Sequence, residues 1–137
     1  MAPEMHREEN SELLTGSESV LLVDDEEMVL NVSKELLESL GYQVITAGGG
    51  REAIEIFETK ADAIDLVILD FTMPEMSCEE TFSRLKMIAP RVPVLVSSGF
   101  SLNEHVRQIL DQDGTGFIQK PFRLYMLSRK VREMLDS

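Results

Sequence analysis

Short apolar runs alternate with longer segments of helical periodicity, and this alternation constrains the fold more than any other feature of the chain. The runs lie at Ser19–Val23, Gln43–Thr46, Asp65–Leu69, Val94–Ser97 and Gly116–Gln119. Continuous apolar runs of this length are typical of strands buried on both faces. Five such strands alternating with five helices predict an α/β domain with one parallel sheet and helices on both of its faces.

The segments between the runs have the residue spacing of amphipathic helices. Apolar residues recur at helical intervals in three of them, at Val29, Val32, Leu36 and Leu40, at Phe82, Leu85 and Ile88, and at Leu124, Leu127, Val131 and Leu135. Gly41 provides a C-terminal stop for the first helix. Ser101 and Glu104 form a capping box, which predicts the start of the fourth helix.

The length of the chain and the distribution of polar residues predict one domain. Residues 1–16 have no steady period and are rich in Glu, Ser and Asn, so we interpret them as an N-terminal tail or interdomain linker. Residues 17–137 would then form the folded domain, which is a common size.

Charge and cysteine content argue against several classes of protein. The chain has 13 Lys and Arg against 25 Asp and Glu, a net charge of −12, which disfavours direct binding to nucleic acid or to an anionic membrane. The single cysteine, Cys78, cannot form an internal disulfide. The polar N-terminus does not resemble a signal peptide, and the apolar runs are too short to span a bilayer. We therefore expect a cytoplasmic domain, although a full-length parent could be membrane-anchored.

Polar side chains follow four of the five predicted strands. Asp24-Asp25 ends the first strand, Asp70 the third, Ser97-Ser98 the fourth and Lys120-Pro121 the fifth. Ligands of open parallel sheets bind beyond the carboxyl ends of the strands, so these groups should converge on one edge. The second strand ends in Thr46-Ala47 and offers no comparable group, as expected of an edge strand.

Three carboxylates in one crevice repel one another and call for a cation. All-oxygen ligation suits Mg²⁺, which binds through one or two carboxylates together with a substrate phosphate; Mn²⁺ is an alternative. A carboxylate beside such an ion can attack a phosphoryl group and form an aspartyl phosphate. Lys120 would balance the incoming charge, and the Ser98 hydroxyl would donate a hydrogen bond to a phosphoryl oxygen.

Four segments of the chain resemble the receiver domain of two-component response regulators. They are Leu21-Leu22-Val23-Asp24-Asp25-Glu26-Glu27, Asp70-Phe71-Thr72-Met73-Pro74, Pro93-Val94-Leu95-Val96-Ser97-Ser98-Gly99-Phe100 and Gly116-Phe117-Ile118-Gln119-Lys120-Pro121-Phe122. Each segment is modest evidence alone, but four in order at the predicted strand ends are highly specific. The resemblance implies a flavodoxin-like doubly wound sheet with strand order 2-1-3-4-5.

The resemblance also implies a role for each site residue. Asp70 matches the phosphoacceptor, and Asp24, Asp25, Asp70 and the backbone carbonyl of Thr72 match the ligands of Mg²⁺. Ser98 matches the switch hydroxyl, Phe117 the switch aromatic and Lys120 the lysine of the site, with a cis bond expected between Lys120 and Pro121.

The chain departs from the family pattern at two positions. Cys78 stands where the family usually has Gly, which questions the loop geometry because Cys tolerates positive φ poorly. Phe117 lacks the hydroxyl of the Tyr that can occupy the switch position, so its reorientation would signal through packing only.

The same resemblance suggests partners and a parent protein. A histidine kinase or a histidine phosphotransfer protein would donate the phosphoryl group, and helix 4, strand 5 and helix 5 could mediate dimerisation. The domain would catalyse its own phosphorylation and dephosphorylation. The sequence most resembles receivers fused to hybrid sensor histidine kinases, which are transferases; a stand-alone single-domain regulator is the alternative.

Three other functions explain the residues less well. A haloacid-dehalogenase-like phosphatase needs a second Asp two residues after the nucleophile, where this chain has Thr72. A flavodoxin-type flavin carrier would meet repulsion between the flavin phosphate and the acidic Asp24–Glu27 segment. A degenerate receiver that only binds partners would not be expected to keep every chemical residue.

Gly48-Gly49-Gly50 lacks the Gly-Lys-Ser/Thr ending of a phosphate loop.

Overall fold

The computed structural model describes residues 13–73, 75–99, 104–112 and 114–137. The strands are β1 (Ser19–Val23), β2 (Gln43–Ala47), β3 (Leu66–Asp70), β4 (Val94–Ser98) and β5 (Thr115–Gln119). The helices are α1 (Glu27–Ser39), α2 (Gly50–Lys60), α3 (Cys78–Ile88), α4 (Glu104–Leu110) and α5 (Leu124–Asp136), with a 3₁₀ turn at Ala61–Ala63. The side chains of residues 104 and 105 lie outside the description.

The described strands form one parallel sheet in the order β2-β1-β3-β4-β5. This order confirms the predicted doubly wound, flavodoxin-like fold. β3 and β4 each end one residue later than the sequence pattern predicts. The reason is backbone pairing, since Asp70 lies in register with Ser97 and the Phe71 N–H donates to the Ser97 carbonyl at 2.7 Å. Asp70 is therefore held by the rigid end of a strand.

The sheet has a buried apolar layer on each face, because successive strand residues point to opposite sides. In β1, Leu21 and Val23 pack with α2, α3 and α4, whereas Val20 and Leu22 pack with α1 and α5. The central strands are fully covered, and every residue of β3 is buried. This two-sided burial explains why the strands are continuous apolar runs.

Helix α1 buries only part of the stripe that the Val29, Val32, Leu36 and Leu40 spacing predicts. Leu40, just after the helix, is buried and Leu36 packs against the apolar layer, but the most buried side chains within the helix lie elsewhere. Leu37 is fully buried, and Ser33 is the other buried residue of the helix. Val32 is 54% exposed. The helix carries two overlapping apolar stripes, and a helical period alone does not decide which stripe meets the sheet.

Gly41 ends α1, as predicted. Its φ of +103° lies in the left-handed region that favours glycine. A Cβ at this position would also collide with the carbonyl oxygen of Gly16. The residue is therefore required both for its backbone conformation and for the close approach of the N-terminal segment.

Cys78 does not strain the loop, although it replaces the Gly that is usual at this position. It is the buried first residue of α3. Its φ is not positive, since among the described residues only glycines have a positive φ. Ser77 caps this helix, accepting a hydrogen bond from the Glu80 N–H at 3.0 Å. The proposed cap at Ser101 lies outside the described residues.

Candidate functional site

The carboxyl edge of the sheet brings together charged residues from three strands. Asp24 directly follows β1, Asp70 is the last residue of β3, and Lys120 directly follows β5. Asp24 and Asp70 are each only 2% exposed, whereas Asp25 is exposed. The convergence that the sequence predicts therefore places two buried carboxylates beneath one that faces solvent.

The three aspartates form a compact set of oxygen atoms. One carboxylate oxygen from each of Asp24, Asp25 and Asp70 lies within 4.8 Å of the others. Carboxylate oxygens at this spacing, with an open side toward solvent, suit a hard divalent cation. Without such a cation, positively charged side chains would be needed to offset the repulsion among the three carboxylates.

Lys120 supplies one such charge to the two buried carboxylates. Its Nζ lies 2.9 Å from Asp24 Oδ2 and 2.8 Å from Asp70 Oδ1. Its backbone N–H donates to the Ser98 carbonyl at 2.8 Å, which fixes the start of the following loop. Burial alone would lower the pKa of Lys120, but Asp70 and then Asp24 outweigh burial and raise it. The residue is therefore a permanent cation at neutral pH.

Asp24 and Asp70 differ in how their oxygens are satisfied. Asp24 Oδ1 accepts the Glu26 N–H at 2.9 Å, and Oδ2 accepts from Lys120. Asp70 Oδ1 is buried and, despite its closeness to Lys120 Nζ, receives no hydrogen bond of acceptable geometry from any described residue. A buried oxygen in that condition normally has another partner. The carboxylate oxygens of the three aspartates therefore fit the coordination of a cation such as Mg²⁺.

The environment of Asp70 disfavours its charged form. Burial is the main cause and, with Asp24 and Asp25, it outweighs Lys120 and raises the pKa of Asp70 to about 6. A cation bound among the three carboxylates would oppose this shift.

The remaining predicted site residues lie around this cluster. Thr72 is exposed and borders the same groove as Asp70 and Lys120. Ser98 is buried at the end of β4. Phe117 is half-buried in β5, opposite Val96, and packs against the apolar layer that contains α4. The Lys120–Pro121 bond is cis, as predicted.

A groove beside the aspartates was missed by the sequence reasoning. It has a volume of about 670 Å³ and runs from Asp70 and Lys120 along helix α1 to Leu36. Met28 and Val32 form its apolar wall and are 79% and 54% exposed. The signal was present in the sequence, because an i, i+4 apolar pair stands apart from the stripe that contains Leu37.

Comparison with known proteins gives a consistent result for most of the chain. Residues 20–132 match the family model described as response regulator receiver domain. The chain is 37% identical over 123 residues to the sensor kinase CckA of Brucella abortus, covering 90% of this chain and 13% of that protein. It is 31% identical over 127 residues to the autoinducer 1 sensor kinase/phosphatase LuxN of Vibrio campbellii, covering 93% and 15%. The chain thus spans less than a sixth of either relative.

Solved structures agree with this family match. The chemotaxis protein CheY4 of Vibrio cholerae superposes with a TM-score of 0.80 at 27% identity, covering 88% of this chain and 100% of that one. The receiver domain from the hybrid histidine kinase CckA gives 0.73 at 31% identity, covering 85% and 98%. In the described part of this chain, no helix is both long and apolar enough to cross a bilayer.

Proposed function

The chain belongs to the response regulator receiver family, and we propose that Asp70 is its phosphoryl acceptor, with a divalent cation held by Asp24, Asp25, Asp70 and the Thr72 carbonyl. The observation that carries this proposal is the meeting of three carboxylates and Lys120 at one edge of the sheet. No structural role explains two buried aspartates and a partly buried lysine there as well as this chemistry does.

In the proposed reaction a carboxylate oxygen of Asp70 attacks the phosphorus atom of a phosphohistidine. The P–N bond breaks, the phosphoryl group passes to Asp70, and the leaving imidazole nitrogen takes up a proton. Lys120 neutralises charge on the transferring group, and the end of β3 holds the attacking oxygen in place. The bound Mg²⁺ would neutralise further phosphoryl charge.

The proposal includes a conformational response. The Ser98 hydroxyl would bond to a phosphoryl oxygen, and Phe117 would move into the space released near the end of β4. Two facts support this: Ser98 is buried at a strand end, and Phe117 is only half-buried on the neighbouring strand. The response would then spread to α4, β5 and α5, the surface through which dimerisation is also predicted.

The groove along α1 would receive the phosphohistidine partner. Its apolar wall of Met28 and Val32 is bordered by the acidic side chains of Asp25 and Glu26, and its floor reaches Asp70. An amphipathic helix with basic residues beside an apolar stripe complements that surface in shape and charge. The partner would be a histidine kinase or a histidine phosphotransfer protein that carries its phosphohistidine on such a helix.

The parent protein would be a hybrid sensor histidine kinase, with residues 17–137 as its receiver domain and the preceding residues leading to it. The similarity to CckA and LuxN supports this context. A stand-alone single-domain regulator is the alternative. The structure offers no support for a haloacid-dehalogenase-like phosphatase, because Thr72 occupies the position of the acid that such an enzyme needs.

Labelling with a phosphoryl donor tests the proposal. Acetyl phosphate or a phosphohistidine protein should label the wild type on Asp70, and Asp70→Asn should abolish the label. Asp62→Asn, which removes an exposed acid in the 3₁₀ turn, should not change it. Peptide mapping that placed a stable acyl phosphate elsewhere in the wild type would refute the assignment.

A further inference from the structure

The segment before β1 is bound to helix α5 at the edge of the sheet opposite the aspartates. Arg132 of α5 forms a two-pronged ion pair with Glu18, with Nη2–Oε2 and Nη1–Oε1 distances of 2.6 and 3.0 Å. The same guanidinium donates to the Thr15 carbonyl at 3.3 Å and pairs with Asp136 at 2.7 Å. Planar, forked arrangements of this kind are among the stronger ion pairs.

Backbone contacts extend this attachment toward the N-terminus. The Leu14 N–H donates to Ser128 Oγ on α5 at 3.3 Å, and the Gly16 N–H donates to the Leu40 carbonyl at 3.1 Å. Leu13 packs against the apolar layer beneath α1 and α5. A Cβ on Gly16 would come within 2.5 Å of Arg132 Nη1, so the segment is fitted closely to the helix.

Helix α5 connects this attachment to the site. It begins at Leu124, shortly after Lys120 and Pro121, and ends at Asp136 beside the attached segment. A helix of this length is rigid over roughly 20 Å. A displacement of its first turn is therefore expected to reach Ser128 and Arg132.

We propose that residues 13–18 form a strap that couples helix α5 to the chain upstream, so that phosphorylation at one edge of the sheet moves the upstream chain at the other. This inference rests on the proposed function, because phosphorylation supplies the displacement. By reciprocity, force or binding on the upstream chain would bias the phosphoryl site. Residues 13–16, which the sequence pattern assigns to a tail or linker, would then transmit a signal.

Amide NMR on the full chain tests the strap. Leu14 and Gly16 report on the strap and Phe71 reports on the site, before and after addition of Mg²⁺ with beryllofluoride as a phosphoryl mimic. We expect all three amides to shift in the wild type. In Glu18→Gln the Phe71 shift should persist, while Leu14 and Gly16 stop responding and exchange their amide protons at least about tenfold faster.

Two further variants control the experiment. Arg132→Lys keeps the charge but loses the fork, so it should reproduce the Glu18→Gln result. Glu133→Gln breaks an exposed α5 pair with Lys130 that does not involve the strap, so all three shifts should remain. A Phe71 shift without strap shifts in the wild type, or strap shifts that survive both disrupting variants, would overturn the inference and leave the proposed function standing. No shift at any of the three amides would defeat the proposed function, and the strap inference with it.

Discussion

Lys120 Nζ lies 2.8 Å from Asp70 Oδ1 and 2.9 Å from Asp24 Oδ2, so one ammonium group serves two buried carboxylates. Asp25 adds a third negative charge within 4.8 Å of both. The cluster therefore keeps an excess of negative charge in the metal-free fold. Its response to metal, pH and charge-removing substitutions follows from that imbalance.

Phosphoryl labelling should require a divalent cation. We expect labelling with Mg²⁺ or Mn²⁺ and its loss in Asp25→Ala, because the transferring phosphoryl charge would lose its counter-cation. Glu27→Gln, which removes an exposed acid at the start of α1, should retain labelling. The measurement is incorporation from acetyl phosphate at several metal concentrations, and undiminished labelling in excess chelator would contradict the metal site.

Asp70→Asn should stabilise the metal-free protein by about 1–2 kcal/mol while abolishing function, because it removes one of three crowded charges. The folded pKa of Asp70, about 6, lies above the ordinary value of 3.8. Protonation of Asp70 therefore stabilises the folded wild type fully below about pH 4, and this contribution to stability is lost as pH rises through about 6. The advantage of the variant should grow over the same interval.

Urea unfolding of both proteins in chelator and in millimolar Mg²⁺ measures this difference. Mg²⁺ should stabilise the wild type by mass action and the variant much less. If Asp70→Asn is the less stable protein in chelator at pH 7, or if both gain equally from Mg²⁺, the three acids do not act as one site.

The phosphoryl signal should spread beyond the acidic cluster. On adding Mg²⁺ and a phosphoryl mimic, amide shifts should extend from Ser98 through Phe117 to Tyr125, because the Ser98 and Phe117 movements reach α4, β5 and α5. Ser98→Ala should keep shifts at Phe71 and lose those around Phe117. Wild-type shifts confined to the Asp24 and Asp70 loops would indicate a phosphoryl site without a switch.

The exposed wall of the α1 groove should matter only for a protein donor. Val32→Glu places a charge in the apolar wall, so transfer from a phosphohistidine protein should slow by about tenfold or more. Labelling by acetyl phosphate should not change, because the small donor needs no groove. Met87→Glu is a matched control on α3, where the side chain is 82% exposed. Equal slowing with both donors would place the effect at the site rather than at docking.

Glu18 should contribute to stability only while it is ionised. The hydrogen bond from Arg132 lowers its pKa from 4.5 to about 2. Its contribution is therefore complete above about pH 4.5 and is lost as pH falls through about 2. We expect Glu18→Gln to be less stable than the wild type by about 1 kcal/mol at pH 7, allowing for solvent screening, and by less at pH 3. Urea unfolding at both pH values measures this, and a pH-independent difference would exclude the charge as its cause.

Much of the fold and of the acidic site could be predicted from the order of residues alone. The apolar runs predict buried parallel strands, and parallel strands must bring Asp24, Asp70 and Lys120 to one edge whatever the loops do. The end of α1 at Gly41 was also predicted, because Gly has a local conformational preference that needs no tertiary partner. The cis bond before Pro121 was expected from the family resemblance, since the local preference of an X–Pro bond is trans.

Other features depended on which surfaces meet. α1 carries two apolar stripes, and only its packing on the sheet decides that Leu37 is buried while Val32 stays exposed. Cys78 is tolerated in place of Gly because it begins a helix and does not adopt a left-handed turn conformation. The attachment of Thr15 and Glu18 to Arg132 joins residues from opposite ends of the chain, and no local period encodes it. Periodicity and strand ends are local properties that the sequence determines, whereas the choice between two helix faces and a pairing across the whole chain is decided only when the surfaces pack together.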